Sequence, residues 1–482
     1  MKILLVAAEV SPFAKTGGLA DVAGSLPKAL RALGHDIRII LPAYQEINPK
    51  VQKFVPIGKT VKVKIGQLQH LGEILEGQSG DVPVYLIKCD ELFDRPGIYG
   101  PPEGGGFPDN LQRFAFFCGA VLEAIKTIPF PVEVIHCNDW HTALIPGLLK
   151  TLYAQDPFFQ SIRTLYTVHN LGYQGTFPLN DFESLGLDPW PSIAEAYEYY
   201  GEVNFMKGGV ILADLINTVS PNYAKEIQTP EHGCGLDKIL NLRRDQLFGI
   251  LNGIDYQDWN PVIDPNLISP FSINSIDRKT KNKQALQREL GLEESSDIPL
   301  VGMVARLAEQ KGCDLLGEAL PCLLQDTNMQ FVVLGTGEKR YEELIKQLIC
   351  KYPRQVAAEF NFNDPLAHRI YAGADIFLIP SQYEPSGLSQ MISFRYGTIP
   401  VARATGGLVD TVIDYSSSEK GNGFLFHEYS GEALAGAIRR ALEVFVQPAK
   451  WKQLINRGMK LDFSWKNSAL EYLALYYKII VG

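Results

Sequence analysis

Short apolar runs alternate with amphipathic stretches along almost the whole chain. Runs at Lys2–Ala7, Asp36–Leu41, Val84–Cys89, Val134–Cys137, Arg163–Val168, Leu215–Val219 and Leu247–Leu251 read as strands buried on both faces. Between them apolar residues recur at helical spacing, as in the stripe Leu19, Val22, Ala23, Leu26, Ala29, Leu30. The segment LNGIDYQDWNPVIDPN, residues 251–266, breaks the rhythm with Gly, Pro, Asn and Asp and reads as a linker. A second series then begins, with strands expected at Pro299–Val304, Gln330–Leu334, Ile376–Pro380 and Ile399–Ala402, each followed by a helical pattern.

Strands alternating with helices predict parallel α/β sheets. We expect two Rossmann-like domains of unequal size, 1–258 and 259–455, and a C-terminal amphipathic helix in 456–482 that packs back on the N-terminal domain. Domains usually run to about 100–200 residues, so 482 residues suit this division. Ligands of such sheets bind outside the carboxyl ends of the strands. Candidate chemistry is therefore sought there.

The composition, 46% hydrophobic and 21% charged, is ordinary for globular domains. A net charge of −9 disfavours nucleic acid or an acidic membrane surface as partner, since either wants a basic face. Seven widely spaced cysteines without CxxC fit a reduced, cytoplasmic protein. No apolar run reaches the ~18 residues of a membrane span, and the N-terminus lacks the look of a signal peptide.

Lys15-Thr16-Gly17-Gly18 occupies the turn after the first strand. It is neither a Walker loop nor GxGxxG, and the missing GxGxxG speaks against a dinucleotide-dependent oxidoreductase. What remains is a flexible cation at a helix start, beside backbone that a ligand can approach closely. The hexapeptide Thr16–Asp21 recurs as Thr405-Gly406-Gly407-Leu408-Val409-Asp410. Shared turn chemistry and a second ligand-facing turn both account for the echo. Asp21 either anchors its helix start or touches an acceptor.

After Pro299–Val304 come Arg306 and Lys311, and after Ile376–Pro380 comes Glu384, with Ser386-Gly387-Leu388 expected to open a helix. The two cations and that helix start are suited to a diphosphate held without metal, and they would offset charge as it leaves. Glu384 fits three roles: acceptor for sugar hydroxyls, stabiliser of a cationic anomeric carbon, or salt-bridge partner of Arg395 or Arg403. In the first domain His136, Asp139 and His141 end one strand, and His169 and Asn170 end the next. With no HxH or HExxH, sugar recognition fits better than a metal. His136 is expected in the core and His169 at the site. Glu9 ends the first strand with nothing to aim it at a sugar.

The ordered set Lys15–Leu19, NDWH (138–141), HNLGYQG (169–175), NFMKGG (204–209), TVSPNYAKEI (218–227), GILNGID (249–255), ARLAEQKGCDLL, PSQYEPSGLSQ and RYGTIPVARATGGLVDTV resembles the bacterial glycogen synthases and plant starch synthases. The resemblance runs from the first residues to about 426. It implies the GT-B architecture, with two Rossmann-like domains facing each other across a deep cleft. It implies a retaining transfer of glucose from ADP-glucose to the non-reducing end of an α-1,4-glucan, without metal or other cofactor. It gives Lys15, Arg306 and Lys311 to the donor phosphates, and Glu384, His169, Asn252 and Gln310 to the neighbourhood of the glucose. The backbone of Gly387 and Leu388 goes to the diphosphate, Phe362 to adenine, and Asp139 and Tyr99 to acceptor or sugar. Gly17, Gly18, Ser386 and Thr405 join the donor side. On this reading Lys15 couples domain closure to catalysis. Two departures stand out: Ser386 where the family commonly has Cys, and Gln382 where it often has Arg. No carboxylate presents itself as a nucleophile, so a front-face displacement is expected. UDP-glucose in place of ADP-glucose, and a glucan-binding protein without catalysis, are the rival readings.

Overall fold

The computed structural model describes residues 1–481 apart from 49, 51, 102–103, 186 and 188–190. The chain forms two compact units, Met1–Gly253 with Trp465–Gly482, and Ile254–Ser464. Each has its own apolar core.

The first unit carries strands β1 (Lys2–Val6), β2 (Asp36–Pro42), β3 (Val55–Ile65), β4 (Leu68–Ser79), β5 (Val82–Lys88), β6 (Val134–Asn138), β7 (Arg163–Val168), β8 (Thr176–Pro178), β9 (Glu198–Tyr199), β10 (Glu202–Asn204), β11 (Leu215–Thr218) and β12 (Leu247–Gly249). Nine of them form one sheet in the order β12-β11-β7-β6-β1-β2-β5-β4-β3, and β8, β10 and β9 make a small second one. The large sheet is parallel except for β4, which pairs antiparallel with both β3 and β5. Ile3, Leu4, Leu5 and Val6 are fully buried, as a strand at the centre of a covered sheet requires.

The second unit carries β13 (Leu300–Val304), β14 (Gln330–Leu334), β15 (Val356–Glu359), β16 (Ile376–Ile379), β17 (Ile399–Arg403) and β18 (Phe424–Phe426). They form one parallel sheet, β15-β14-β13-β16-β17-β18.

In both sheets the winding reverses beside the first strand: between β1 and β6, and between β13 and β16. Loops leaving the two strands of such a pair diverge and open a crevice at the carboxyl edge. Lys15, Asp139, Arg306, Lys311 and Glu384 follow these four strands.

The division falls after Gly253, not near residue 258. The expected helix in 456–482 is two pieces. Pro448–Met459 belongs to the second unit, and only Trp465–Val481 packs on the first. There Trp465, Ala469, Tyr472, Leu473, Tyr476 and Ile479 join the core. Tyr476 Oη lies 2.8 Å from His136 Nδ1, and His136 Nε2 lies 2.6 Å from Thr167 Oγ1. Thr167 donates to Asn217, which donates to Tyr472 Oη. Burial lowers the His136 pKa to about 3. This neutral, fully bonded imidazole has the core role expected of it.

Candidate active site

At the carboxyl edge of the first sheet, Glu9 is buried, 4% exposed, three residues beyond β1. Its Oε2 accepts from the Thr16 and Gly17 backbone N–H groups, and its Oε1 from Thr16 Oγ1 (2.7 Å) and Tyr99 Oη. The turn before the helix Gly18–Ala32 is thus folded around one carboxylate. Lys15 Nζ pairs with Asp21 Oδ1 at 2.6 Å, and Gly17, not Asp21, occupies the N-cap position.

A methyl group built on Gly17 or Gly18 would meet no atom within 4 Å. Gly17 has φ −152°, which any residue adopts. Neither packing nor backbone geometry within this unit calls for these two glycines.

The echo behaves differently. Gly406 has φ +49°, and a Cβ there would stand 1.9 Å from Glu384 O; at Gly407 it would stand 2.2 Å from Ser386 O. Gly407 N–H donates to Glu384 O and Pro385 O. The second turn therefore buttresses the loop that carries Glu384. The buried Thr405 opens it.

On the other side of the β1/β6 reversal, Asp139 has φ +55° and ψ −177°, a strained region for a residue with a side chain. Its Oδ1 accepts from His169 N–H at 2.7 Å. Burial raises its pKa to about 7, against the lowering effect of the His169 and Asn170 N–H groups. His169 follows β7. Asn138 donates to Val6 O and His136 O, so its Oδ1 faces His169 Nε2, 2.9 Å away. That assigns the imidazole proton to Nε2 and leaves Nδ1 an acceptor. Burial lowers the His169 pKa to about 3, so the ring is neutral. The Tyr99 ring stacks on His141, 4.5 Å between centroids and 21° between planes. Asn252 is buried near the end of this unit, and its Oδ1 has no hydrogen-bond partner.

In the second unit Lys311 and Glu384 meet across the β13/β16 reversal, Nζ to Oε2, at 2.6 Å. Their side chains are 25% and 10% exposed, so the pair is largely withdrawn from water. Gly312 makes the approach possible. Its φ is +71°, and a Cβ there would lie 2.1 Å from Pro380 O. Ser381 Oγ also donates to Glu384 Oε2, 2.9 Å. Arg306 donates to Gln310 Oε1 at 3.0 Å, and Gln382 N–H donates to Gln310 O.

Neither arginine expected as the alternative partner of Glu384 takes that place. Arg403 donates to Gln382 O and His427 O, and Arg395 lies over the Tyr256 ring. The helix expected to open at Ser386 begins at Ser389, because Gly387 has φ +70° and cannot continue a right-handed turn. Gln390 Nε2 donates to Ser386 O and Gly387 O, while the buried Ser386 Oγ has no partner. Leu388 caps that helix. Phe362 follows β15, two strands from the Lys311–Glu384 pair, and is 84% exposed.

Sequence reasoning missed Ser381, whose contact needs only its position three residues before Glu384, and it left Glu9 without a role. One further group, His70, Cys89 and Glu91, has ligand atoms within 4.8 Å of one another. There the exposed Glu91 pairs with His70 at 3.1 Å, and none of the predicted site residues takes part. Among the described residues no helix is long and apolar enough to cross a membrane.

The starch synthase catalytic domain family matches residues 2–242, and glycosyl transferases group 1 matches 286–457. The chain is 49% identical to a glycogen synthase of Syntrophotalea carbinolica over 481 residues, covering 100% of this chain and 99% of that one. It is 46% identical to a glycogen synthase of Geobacillus stearothermophilus, covering 100% and 98%. The catalytic domain of starch synthase IV from Arabidopsis thaliana, bound to ADP and acarbose, superposes with a TM-score of 0.92 at 35% identity, covering 100% of this chain and 99% of that one. Sucrose-phosphate synthase from Thermosynechococcus elongatus shares the fold, with a TM-score of 0.60 at 19% identity over 99% of this chain and 98% of its own. Fold and site together define a glycosyltransferase of the GT-B class. Within that class, the chain belongs to the glycogen and starch synthase family.

Proposed function

We propose that this chain transfers glucose from ADP-glucose to the non-reducing end of an α-1,4-glucan, with retention at the anomeric carbon and release of ADP. Its full-length similarity to glycogen synthases supports this reading. So does its similarity to a starch synthase solved with ADP and acarbose. The observation that carries it is the Lys311–Glu384 pair at the β13/β16 reversal, with Arg306 on the same loop as Lys311.

In this reading Arg306 and Lys311 hold the donor diphosphate and take up the charge that develops on it. Gly387 and Leu388 offer it backbone N–H groups. Lys15 serves the same phosphates, and Gly17 and Gly18 leave room for the donor. Glu384, held by Lys311 and Ser381, accepts from a glucose hydroxyl and stabilises positive charge at the anomeric carbon. Asn252 Oδ1, Gln310 and His169 Nδ1 take further hydroxyls, Asp139 and Tyr99 serve the acceptor, and Phe362 stacks on adenine. The bond from the anomeric carbon to the leaving phosphate breaks as the acceptor oxygen joins the same face. The acceptor proton passes to the departing phosphate. Lysine and arginine supply the positive charge, so no metal is required. Seven free thiols suit a reducing, cytoplasmic setting.

The test is nucleotide release from ADP-glucose and from UDP-glucose, with and without glycogen and EDTA, for wild type and Glu384→Ala. Glycogen-dependent ADP release that survives EDTA is expected, with kcat reduced ~100-fold or more in the variant, as for loss of one charge-stabilising group. Release from UDP-glucose alone would assign another donor. Transfer from neither would overturn the reading.

A further inference from the structure

Glu9 is a buried carboxylate without a cationic partner among the described residues. Ionised groups in the interior are costly unless hydrogen bonds replace the lost water. Glu9 has four donors. All come from two segments that carry predicted site residues: three from Thr16 and Gly17, and one from Tyr99, ninety positions along the chain. The two oxygens divide the work. Oε2 takes both backbone N–H groups, and Oε1 takes both hydroxyls. The carboxylate is thereby used up on protein groups, and no lone-pair direction is left in good geometry for a reacting sugar.

We propose that Glu9 is a positioning residue for the transfer reaction. It fixes the turn that presents Lys15, Gly17 and Gly18, and it locks the Tyr99 ring over His141. One carboxylate then ties a donor-side turn to an acceptor-side aromatic. This rests on the reading that Lys15 serves the donor and Tyr99 the acceptor.

The geometry makes an unusual demand of the conservative variant. A glutamine whose Oε1 takes the place of the present Oε2 would still accept both backbone N–H groups. Its amide NH2 would face the two hydroxyls, and a hydroxyl can rotate to accept where it had donated. Glu9→Gln therefore preserves the arrangement without the charge. Glu9→Ala removes the acceptor that holds the Thr16 and Gly17 N–H groups, so the turn loses its anchor, and it frees Tyr99.

The experiment measures KM for ADP-glucose, KM for a maltooligosaccharide acceptor, and kcat, for wild type, Glu9→Ala, Glu9→Gln and Lys15→Ala. A thermal melt of each variant reports folding. For Glu9→Ala we expect both KM values to rise about tenfold and kcat to fall about 100-fold, the scale of misplaced positioning groups. Glu9→Gln should stay within about threefold of wild type in all three, the neutral amide making the same contacts. Should Glu9→Ala fail to fold, the glutamine variant decides. If Glu9→Gln folds and is inactive, the carboxylate acts through its charge and the proposal fails. If Glu9→Ala folds and keeps wild-type constants, it fails equally. If Lys15→Ala keeps the wild-type donor KM, the turn does not serve the donor, and the inference falls with that reading. Impaired Lys15→Ala beside an unimpaired Glu9→Ala overturns the positioning role alone.

Discussion

Asp139 concentrates three tensions in one residue: a positive φ, near-complete burial, and a carboxyl whose pKa is raised to about 7 by that burial. Its carboxyl accepts from the His169 N–H and is approached by the Asn170 N–H, and an asparagine oxygen can serve both as well. The linkage follows from the sign of the shift. The folded state keeps its proton up to about pH 7, while the unfolded chain releases it near 3.8. Stability from the protonated group is complete below pH 4, drains away as pH rises to about 7, and is flat above. Asp139→Asn has no such loss. Its melting temperature should match wild type at pH 4 and exceed it at pH 8, the gap corresponding to at most about 4 kcal/mol. Melts across that range check this; a constant difference would show that Asp139 does not titrate between folded and unfolded chain. Activity should fall in the same variant if the carboxylate is needed by an acceptor, which separates function from stability at one position.

The two glycine turns have the same sequence pattern and opposite physical grounds. Gly406 is required by its positive φ and by the Glu384 carbonyl against it, whereas Gly17 faces open space at an ordinary φ. Gly17→Ala should shift the melting temperature only slightly, the ~0.4–1 kcal/mol gained from a less free unfolded chain being offset by alanine's poorer capping of the helix. Its donor KM should rise if Gly17 serves the donor as proposed, because a methyl would then occupy the donor's space. Gly406→Ala should lower the melting temperature and disturb the Glu384 loop. Parallel melts and kinetics decide; equal loss of stability in both would remove the distinction. From sequence alone the turns were indistinguishable, because the difference lies in what stands opposite each one. The same reason divides the legible from the hidden elsewhere. Most of the parallel strands were readable because burial on both faces leaves an unbroken apolar run, as in Ile3–Val6; the edge strand Val356–Glu359, buried only over its first two residues, was missed. The β3–β4 hairpin was not, because β3 is mostly exposed, Lys59, Lys62 and Lys64 included, and only Val61 and Ile65 along it are buried. β18 is three residues long and carries no periodicity. Lys311 and Glu384 could be placed at strand ends in advance, but their pairing depends on which strands are neighbours. The four-way use of Glu9 depends on Tyr99, far beyond the reach of any local pattern.

At the scale of the whole molecule, the chain leaves its first unit at Gly253 and returns to it only at Trp465. The second unit is closed in itself. Ile254 N–H donates to Phe463 O at 2.8 Å, so its two ends leave side by side, and among the described residues its core draws on none outside 254–464. The first unit is not closed until the last helix arrives. That helix buries Trp465, Tyr472, Leu473, Leu475, Tyr476 and Ile479 in the core and completes the bonding of His136 and Asn217. At about 1.5–3 kcal/mol per buried large apolar side chain, its contribution is on the order of 10 kcal/mol. That equals the ~5–15 kcal/mol net stability of a whole domain. Its loss would also leave an imidazole and an amide in the interior without their partners, at about 1–3 kcal/mol each. Residues 254–464 expressed alone should therefore unfold in one cooperative transition. Residues 1–253 alone should show none, and should regain it when 465–482 is fused behind residue 253 through a flexible linker. Near-UV circular dichroism and calorimetry on the three fragments check this. A cooperative, native-like 1–253 would mean that the last helix covers a core already complete. Otherwise the Lys15 turn, Glu9 and the Asp139–His169 pair form only once residues 465–481 have been made, since the helix they build completes the core beneath the sheet that aligns those groups.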